Sequence, residues 1–270
     1  MSPADAALLG LVQALAEFLP ISSSGHLVLA EKLLGVTAEG GTAFEVAVHF
    51  GTLLSVAVLF RRDLVDLVRA GANGLRAGAD RRSRWATDSG LRLLAAIVIG
   101  CIPAGVIGVL FKDQLEALFH SPRLVCAALV GTGLWLLASR FAPPGEAEVT
   151  PGRALMIGVA QAVAIVPGIS RSGSTIAGAM FLGVERELAA RFSFLMSLPV
   201  IFGATLLKAR DLVAAPPAAD QLLALGVGAG VSFVAGLASL ALLMRIVRRG
   251  LFSNFGWYCL AVGIAGLLLL

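Results

Sequence analysis

The chain has 270 residues, of which 58% are hydrophobic and only 14% are charged. Soluble domains carry about 25% charged residues, so a soluble globule of this length would lack the polar side chains to cover its surface. Intrinsic disorder is excluded as well, because a disordered chain has low hydrophobicity. A multi-pass membrane protein remains, and its net charge of +4 comes from basic residues between apolar segments rather than from a nucleic-acid-binding patch.

Six apolar stretches approach or reach the length of about 20 residues that a helix needs to cross a hydrocarbon core. In chain order they are Phe44–Phe60, Leu93–Phe111, Leu124–Ser139, Phe192–Leu207, Gln221–Met244 and Gly250–Leu270. The sequence therefore predicts an all-α polytopic membrane protein with six transmembrane helices.

Two further apolar regions are interrupted by polar residues. The first consists of Ala6–Ala16, Glu17 and Phe18–Ala30, and the second of Ala154–Ser170, Arg171 and Ser172–Val184. Half-length pieces suit re-entrant helical hairpins better than complete spans. Because broken backbone at membrane depth is tolerated only where protein or water covers it, we expect a binding site at these breaks.

The two broken regions belong to an internal repeat that keeps one ungapped register. The matches include Gly10 with Gly158, Gln13 with Gln161, Ser22 with Ser170, and Arg62-Asp63-Leu64-Val65 with Arg210-Asp211-Leu212-Val213. Each half then holds one hairpin and three spans, and because three is odd the second copy enters the membrane upside down. We predict a single membrane domain over residues 1–270, made of two inverted repeats at roughly 1–145 and 146–270, whose hairpins meet near the midplane.

Most of the 21 Lys and Arg residues fall on one side of this topology. The positive-inside rule makes that side cytoplasmic and places both termini on the outer side.

The two repeats differ in the polar residues at their breaks. One carries a carboxylate, hydroxyls and an imidazole, at Glu17, Ser23 and His26, whereas the other carries Arg171 among hydroxyl residues. Those hydroxyls are Ser170, Ser172, Ser174 and Thr175. A guanidinium fork and the free N–H groups of half-helix N-termini both favour a phosphate. A carboxylate beside that phosphate requires a divalent cation between them, and such oxygen ligands are typical of Mg²⁺.

Each of these residues also has a structural interpretation. Arg171 could form an ion pair with Glu17 that only joins the repeats, the serines could only cap half-helices, and His26 could be structural. We expect Glu45 to line the pocket and His49 to satisfy a helix contact, and we assign no role to His120.

Two segments closely resemble the signature motifs of the undecaprenyl-diphosphate phosphatase family, bacterial integral membrane enzymes also called bacitracin resistance proteins. They are Gln13-Ala-Leu-Ala-Glu17-Phe-Leu-Pro-Ile-Ser-Ser-Ser-Gly-His26 and Pro167-Gly-Ile-Ser-Arg-Ser-Gly-Ser-Thr175. The resemblance extends over the whole chain, including the repeat and the number of spans.

The resemblance implies a hydrolase that converts undecaprenyl diphosphate to undecaprenyl phosphate and inorganic phosphate, which recycles the lipid carrier for cell-wall synthesis. It also implies a bacterial inner-membrane location among membrane lipids, a pocket open to the periplasmic side, and a divalent cation, Mg²⁺ first and Ca²⁺ as the alternative. No nucleic-acid partner is expected, and a homo-oligomer is left open.

The motifs also imply roles for individual residues. Glu17, Ser23, His26 and Arg171 would be catalytic, with Ser23, His26 or a water as the attacking group. The substrate-binding set would be Ser22, Ser24, Ser170, Arg171, Ser172, Ser174 and Thr175. Glu17 would bind the cation, and Gln13 would bind it weakly or only orient it, because the family often has an acidic residue at that position. A translocase for an anion or a lipid phosphate, without hydrolysis, is the alternative function.

The predicted topology is testable with reporter tags. A tag inserted after Arg82 should lie on the cytoplasmic side and a tag at the C-terminus on the outer side, because five predicted spans, an odd number, and one re-entrant hairpin that returns to its own side separate them. Labelling of both tags from the same side would contradict the inverted repeat.

Overall fold

A computed structural model describes residues 1–34, 41–76, 87–214 and 216–270. These residues form twelve α-helices. In chain order the helices are α1 (Pro3–Phe18), α2 (Ser23–Leu34), α3 (Gly41–Leu59), α4 (Arg61–Arg76), α5 (Ser89–Leu110), α6 (Lys112–Leu118), α7 (Pro122–Ala138), α8 (Pro151–Val163), α9 (Arg171–Phe181), α10 (Arg186–Ala214), α11 (Leu222–Arg248) and α12 (Phe255–Leu269). Short 3₁₀ turns follow α7 and precede α12, and one isolated bridge joins Ala147 to Val184.

The prediction of an all-α polytopic membrane protein is confirmed. Five of the helices, α5, α7, α10, α11 and α12, are long and apolar enough to cross a membrane, and α3 with α4 counts as a sixth candidate when the two are taken as one bent pair. All six predicted stretches fall on these elements, with Phe44–Phe60 on α3.

Helix α4 lies at 77° to α3 and is not a continuation of the span. Its residues Leu67 and Ala70 are buried, whereas Val68 is exposed and lies beside the exposed Arg62 and Arg69. A helix with one apolar exposed face and one basic face is typical of an element that lies in the membrane interface. The bend therefore separates the apolar α3 from a helix with the residue pattern of an interfacial element.

Both predicted hairpins are present as a helix, a break and a second helix: α1 with α2, and α8 with α9. Each begins in the same way, because Ser2 and Thr150 cap the first turn and a proline follows at the first helical position. These are equivalent positions of the sequence repeat, so the repeat is visible in local structure as well.

The breaks of the two hairpins have local causes. Leu19 is extended because it precedes Pro20, and this ends α1 after Phe18. Glu17 therefore lies in the last turn of α1, whereas the sequence places it at the interruption itself. In the second hairpin, Gly168 has a φ of +94°, and a Cβ at this position would lie against the carbonyl of Val125. Only glycine fits this close approach to α7.

The hairpins pack reciprocally against the opposite halves of the chain. Gly10 of α1 lies against Gly228 of α11, and its repeat equivalent Gly158 of α8 lies against Gly100 of α5. Small residues at such contacts allow helix backbones to approach closely in membranes. Two inverted repeats would produce this arrangement, in which the hairpin of each half packs on a helix of the other half. The division between residues 145 and 146 stays a prediction.

Substitution of Gly10 by Ala should destabilise the protein. A Cβ added there would lie 2.6 Å from the carbonyl oxygen of Gly228, so the two helices must move apart. Overpacking of this kind costs about 1–3 kcal/mol, and the midpoint of thermal unfolding in detergent should fall.

Gly226 on α11 provides the matched control, because its added Cβ would meet no atom of the described residues within 4 Å. Gly226→Ala should leave the midpoint unchanged or raise it, since alanine favours helix. Equal midpoints for Gly10→Ala and Gly226→Ala would mean that the α1–α11 contact is not close-packed.

Candidate active site

A cavity of about 810 Å³ lies where the two hairpins meet α3, α6 and α10. Glu17 and Ser23 of the first hairpin and Ser170 and Arg171 of the second all line it. The hairpin breaks are also in direct contact, because a Cβ on Gly25 would lie 3.2 Å from the Cα of Gly168. The acidic and basic breaks predicted from the sequence therefore share one compartment.

An ion pair joins the two hairpins. Arg171 Nη2 donates to Glu17 Oε1 at 2.6 Å, and the two side chains are only 16% and 8% exposed. The other amino nitrogen of this guanidinium, Nη1, is buried without a hydrogen-bond partner among the described residues. Since a buried donor without a partner is costly, Arg171 retains the capacity to bind a second anionic oxygen.

The other polar side chains of the site lie around the second carboxylate oxygen of Glu17, Oε2. Ser23 Oγ donates to Glu17 Oε2 at 2.6 Å, and Gln13 Nε2 donates to the same oxygen at 3.3 Å. His49 Nε2 lies 4.0 Å from it. A hydroxyl bonded this closely to a carboxylate has a base in position to accept its proton.

Ser22 holds the first break in an unusual conformation. Its φ is +71°, which makes it the one non-glycine residue in the described ranges with positive φ, and its side chain is 3% exposed. The Ser22 carbonyl oxygen accepts from the backbone N–H of His26 at 3.1 Å, so Ser22 directly precedes and supports the first turn of α2. Non-glycine residues in this region cluster at active sites, and here the strained residue immediately precedes Ser23.

The second break is held by hydroxyl groups. Ser170 caps α9 by accepting from the backbone N–H of Gly173 at 3.1 Å. Thr132 of α7 donates to the carbonyl of Gly168 at 2.9 Å and accepts from the backbone N–H of Ser170 at 3.2 Å. Thr132 therefore fixes both sides of the break that presents Arg171, and sequence analysis missed it because it lies in an ordinary apolar span.

The remaining hydroxyls of the second motif are behind the cavity wall. Ser172 Oγ lies 3.3 Å from Ser170 Oγ, and Thr175 contacts Ser193 of α10 at 2.5 Å while donating to the Arg171 carbonyl at 2.8 Å. Ser174 is buried on the same helix. These side chains stabilise α9, and their predicted contact with substrate stays a prediction.

Ser24 lines the cavity next to Ser22, with their hydroxyl oxygens 3.4 Å apart. His26 points elsewhere. Its Nδ1 lies 2.9 Å from the carbonyl oxygen of Ser22, and its Nε2 lies 2.9 Å from the hydroxyl of Tyr258, on whose ring it stacks. His26 thus contacts the substrate-facing loop through Ser22 and the last helix through Tyr258.

The profile of the family described as "Bacitracin resistance protein BacA" matches residues 6–265. The chain belongs to this family. Among similar proteins, the undecaprenyl-diphosphatases of Salinibacter ruber and Geobacter metallireducens are both 44% identical, and the alignments cover 98% and 100% of this chain and 98% of each relative. Undecaprenyl-diphosphatase 1 of Bacillus cereus is 40% identical over 97% of this chain and 96% of its own length. The family resemblance of the two motifs is thereby confirmed.

Several cavity residues of this family member lie outside both motifs. Glu45, which was expected there, forms an ion pair with Lys208, and both line the cavity. His49 makes the expected helix contact, with Nδ1 2.8 Å from the Glu45 carbonyl oxygen, but it also lines the cavity. His120 lines it as well, and no role is assigned to it. Glu45 and His49 are four residues apart on one helix face, so a cavity that reaches one of them also reaches the other.

The described residues can contribute to a metal site without completing one. Within the described ranges, no three Asp, Glu, His or Cys side chains lie close enough to hold a metal ion. Glu17 offers a carboxylate, and the buried Oε1 of Gln13 has no hydrogen-bond partner among those residues. Mg²⁺ is often bound by one or two carboxylates, waters and the phosphates of the substrate. These oxygen donors fit a hard divalent cation whose remaining ligands would come from outside the described residues.

Replacing Thr132 with Val should loosen the second break. Valine has the shape of threonine but cannot bridge Gly168 and Ser170, which leaves buried backbone groups unpaired at a cost of about 1–3 kcal/mol. The midpoint of thermal unfolding should fall, and Thr132→Ser, which keeps the hydroxyl, should recover most of the difference. Equal stability of the Val and Ser variants would show that this bridge does not hold the break.

Proposed function

We propose that this chain removes the terminal phosphate from undecaprenyl diphosphate, giving undecaprenyl phosphate and inorganic phosphate. One observation carries the proposal. Ser23 donates to Glu17 at 2.6 Å while Arg171 is bonded to the other oxygen of the same carboxylate at 2.6 Å, all on the wall of one cavity. A nucleophile, its base and an anion-binding guanidinium are the parts that phosphoryl transfer needs.

The names of the relatives support this assignment, because proteins at 40–44% identity over nearly the whole chain are called undecaprenyl-diphosphatases. Binding alone would not require a hydroxyl bonded to a carboxylate opposite the arginine. A translocase without hydrolysis therefore explains less of the site than a hydrolase does.

In the proposed reaction, Arg171 binds the diphosphate through Nη1, which has no hydrogen-bond partner among the described residues, and through Nη2, which the substrate shares with Glu17. Ser23 Oγ attacks the terminal phosphorus in line, and Glu17 takes the hydroxyl proton. An O–P bond to Ser23 forms as the bond from phosphorus to the bridging oxygen breaks, and undecaprenyl phosphate leaves. Glu17 then passes its proton towards the leaving group or solvent and takes a proton from the water that attacks the phosphoserine. The bond from phosphorus to Ser23 Oγ breaks, Glu17 returns the proton to Oγ, and inorganic phosphate leaves.

His26 acts in this proposal as a positioning residue. Its contact with the Ser22 carbonyl oxygen is next to the strained backbone that aims Ser23 at Glu17. Direct attack by His26 is the variant that the sequence left open, and its ring instead lies against Tyr258. An acid-stable phosphorylated enzyme would support Ser23, and an acid-labile one His26.

We assign the divalent cation, Mg²⁺ first and Ca²⁺ as the alternative, to Glu17 and Gln13 Oε1 together with the phosphates of the substrate. When bound there, it supplies positive charge that offsets the charge on the phosphoryl oxygens and the leaving phosphate. The protein residues that orient this region are Gln13, whose Nε2 already bonds Glu17, and Ser23.

The location follows from substrate and topology. The chain is a multi-pass membrane protein, and we assign it to the bacterial inner membrane with both termini and the cavity mouth on the periplasmic side. Membrane lipids surround it and supply the polyprenyl diphosphate substrate, and the cleaved carrier returns to cell-wall synthesis.

Phosphate release from undecaprenyl diphosphate by the purified protein should require a divalent cation and cease on chelation. Arg171→Ala, Glu17→Gln and Ser23→Ala should each lower kcat by a factor on the order of 10²–10³, because each removes a charge-stabilising or reacting group. The measurement is inorganic phosphate released over time, with folding checked by thermal unfolding.

Arg140→Ala is the matched charge control. Arg140 bonds Ser253 and Asn254 and does not line the cavity, so this variant should keep its turnover. Near-normal turnover of Arg171→Ala, or transport of the lipid with no phosphate release by the wild-type protein, would overturn the proposed function.

A further inference from the structure

Helices α5 and α10, which lie beside the cavity, run in the same direction and contact each other. Leu93 of α5 neighbours Leu188 and Phe192 of α10 around a small second cavity. Further along, Cys101 Sγ donates to the carbonyl of Met196 at 3.3 Å. At this level the two helices are therefore in direct contact.

Each helix contains a proline within one turn beyond this contact, at Pro103 in α5 and Pro199 in α10. A proline inside a helix removes one backbone hydrogen bond and bends the helix. The paired positions of the two prolines allow both helices to change direction at the same depth.

Beyond the prolines, the facing sides of the two helices are open. A Cβ on Gly203 of α10 would meet no atom of the described residues within 4 Å. A Cβ on Gly108 of α5 would have one neighbour within 4 Å among the described residues, Ile165 Cδ1 of the second hairpin at 3.9 Å. On α10, Pro199 is exposed. Leu207 is 58% exposed, although it lies on the same side of the helix as the buried Met196.

The adjoining side of the same α10 turns is a wall of the candidate active site. Val200, Ile201 and Ala204 line the cavity, and so do Ile165 and Ile169 of the second hairpin. The space beside Gly203 and Gly108 therefore borders residues that line the Arg171 compartment, and we call this space the gap between α5 and α10.

We propose that this gap is a lateral portal through which the isoprenoid chain of the substrate extends into the bilayer while its diphosphate occupies the cavity. The portal is bounded by Gly105 and Gly108 on α5 and by Pro199 and Gly203 on α10, with Ile165 at its inner end. The inference rests on the proposed function for the identity of the lipid.

The chemistry of the ligand requires such an opening. A polyprenyl chain loses hydrophobic stabilisation with every carbon that enters water, so it must remain in apolar surroundings while its charged end reaches Arg171. A closed wall would admit only the head group. Glycine at positions 108 and 203 leaves space beside each helix, and a larger side chain would fill it.

The test narrows the portal with Gly203→Leu and Gly108→Leu. Each should raise KM for undecaprenyl diphosphate by about tenfold or more, which corresponds to at least about 1.4 kcal/mol of lost binding. The inhibition constant of inorganic pyrophosphate, which has the head-group chemistry and no chain, should stay within about twofold of the wild-type value. Gly230→Leu on α11 is the matched control, because its added Cβ also meets no described atom within 4 Å.

An unchanged KM in both portal variants, or an equal rise in KM and in the pyrophosphate inhibition constant, would overturn the portal. A rise in KM for Gly230→Leu as well would do the same, because the effect would then not be local. Thermal unfolding of each variant identifies one that has lost its fold.

A second measurement separates the portal from the reaction. A photoreactive benzoylphenylalanine at position 203 should cross-link to undecaprenyl phosphate or diphosphate, and the same residue at position 230 should not cross-link above the level seen with bulk phospholipid. If the wild-type protein releases no phosphate, the proposed function fails, yet specific capture at position 203 would still support the portal. Equal capture at both positions would overturn it.

Discussion

The buried ion pair between Glu17 and Arg171 is the interaction on which the rest of the structure depends. Two charges removed from water are stable only when they are paired and hydrogen-bonded, and breaking such a pair costs about 3–5 kcal/mol. Here each charge comes from a different hairpin. The pair therefore requires both breaks to meet, and the packing of α1 on α11 and of α8 on α5 serves to bring them together.

The pair is compatible with both a structural and a functional interpretation of Arg171. The guanidinium is bonded to the carboxylate, and one nitrogen has no partner among the described residues. In the proposed function, a phosphate would bond to that nitrogen and share the other, while a cation would compensate Glu17. The contact that holds the hairpins together is the one that the proposed substrate would exchange, so stability and binding use the same atoms.

Much of this arrangement could be predicted from sequence because it depends on patterns that a chain displays directly. The hydrophobic stretches identify the spans, and the polar interruptions identify the hairpins. The repeat pairs Gly10 with Gly158, which the structure places in equivalent contacts. The contact of Glu17 with Arg171 followed from the expectation that two inverted breaks meet.

Other features could not be predicted because they depend on three-dimensional proximity. Thr132 bridges the second break from a span that has no motif, and His49 reaches Glu17 from a third helix. The 77° bend before α4 could not be predicted either, because hydrophobicity indicates which residues form a helix but not the direction of its axis. The predicted roles of Ser172, Ser174 and Thr175 came from a motif, which cannot distinguish a side chain on the cavity from one that supports it.

The stacked contact of His26 with Tyr258 has a consequence for how the site is assembled. It joins the first hairpin to α12, and each nitrogen of the imidazole has an oxygen neighbour at 2.9 Å. Two segments that are 232 residues apart in the sequence therefore support each other beside the cavity. Both must be inserted into the membrane before the loop that carries Ser22 and Ser23 can acquire its final shape.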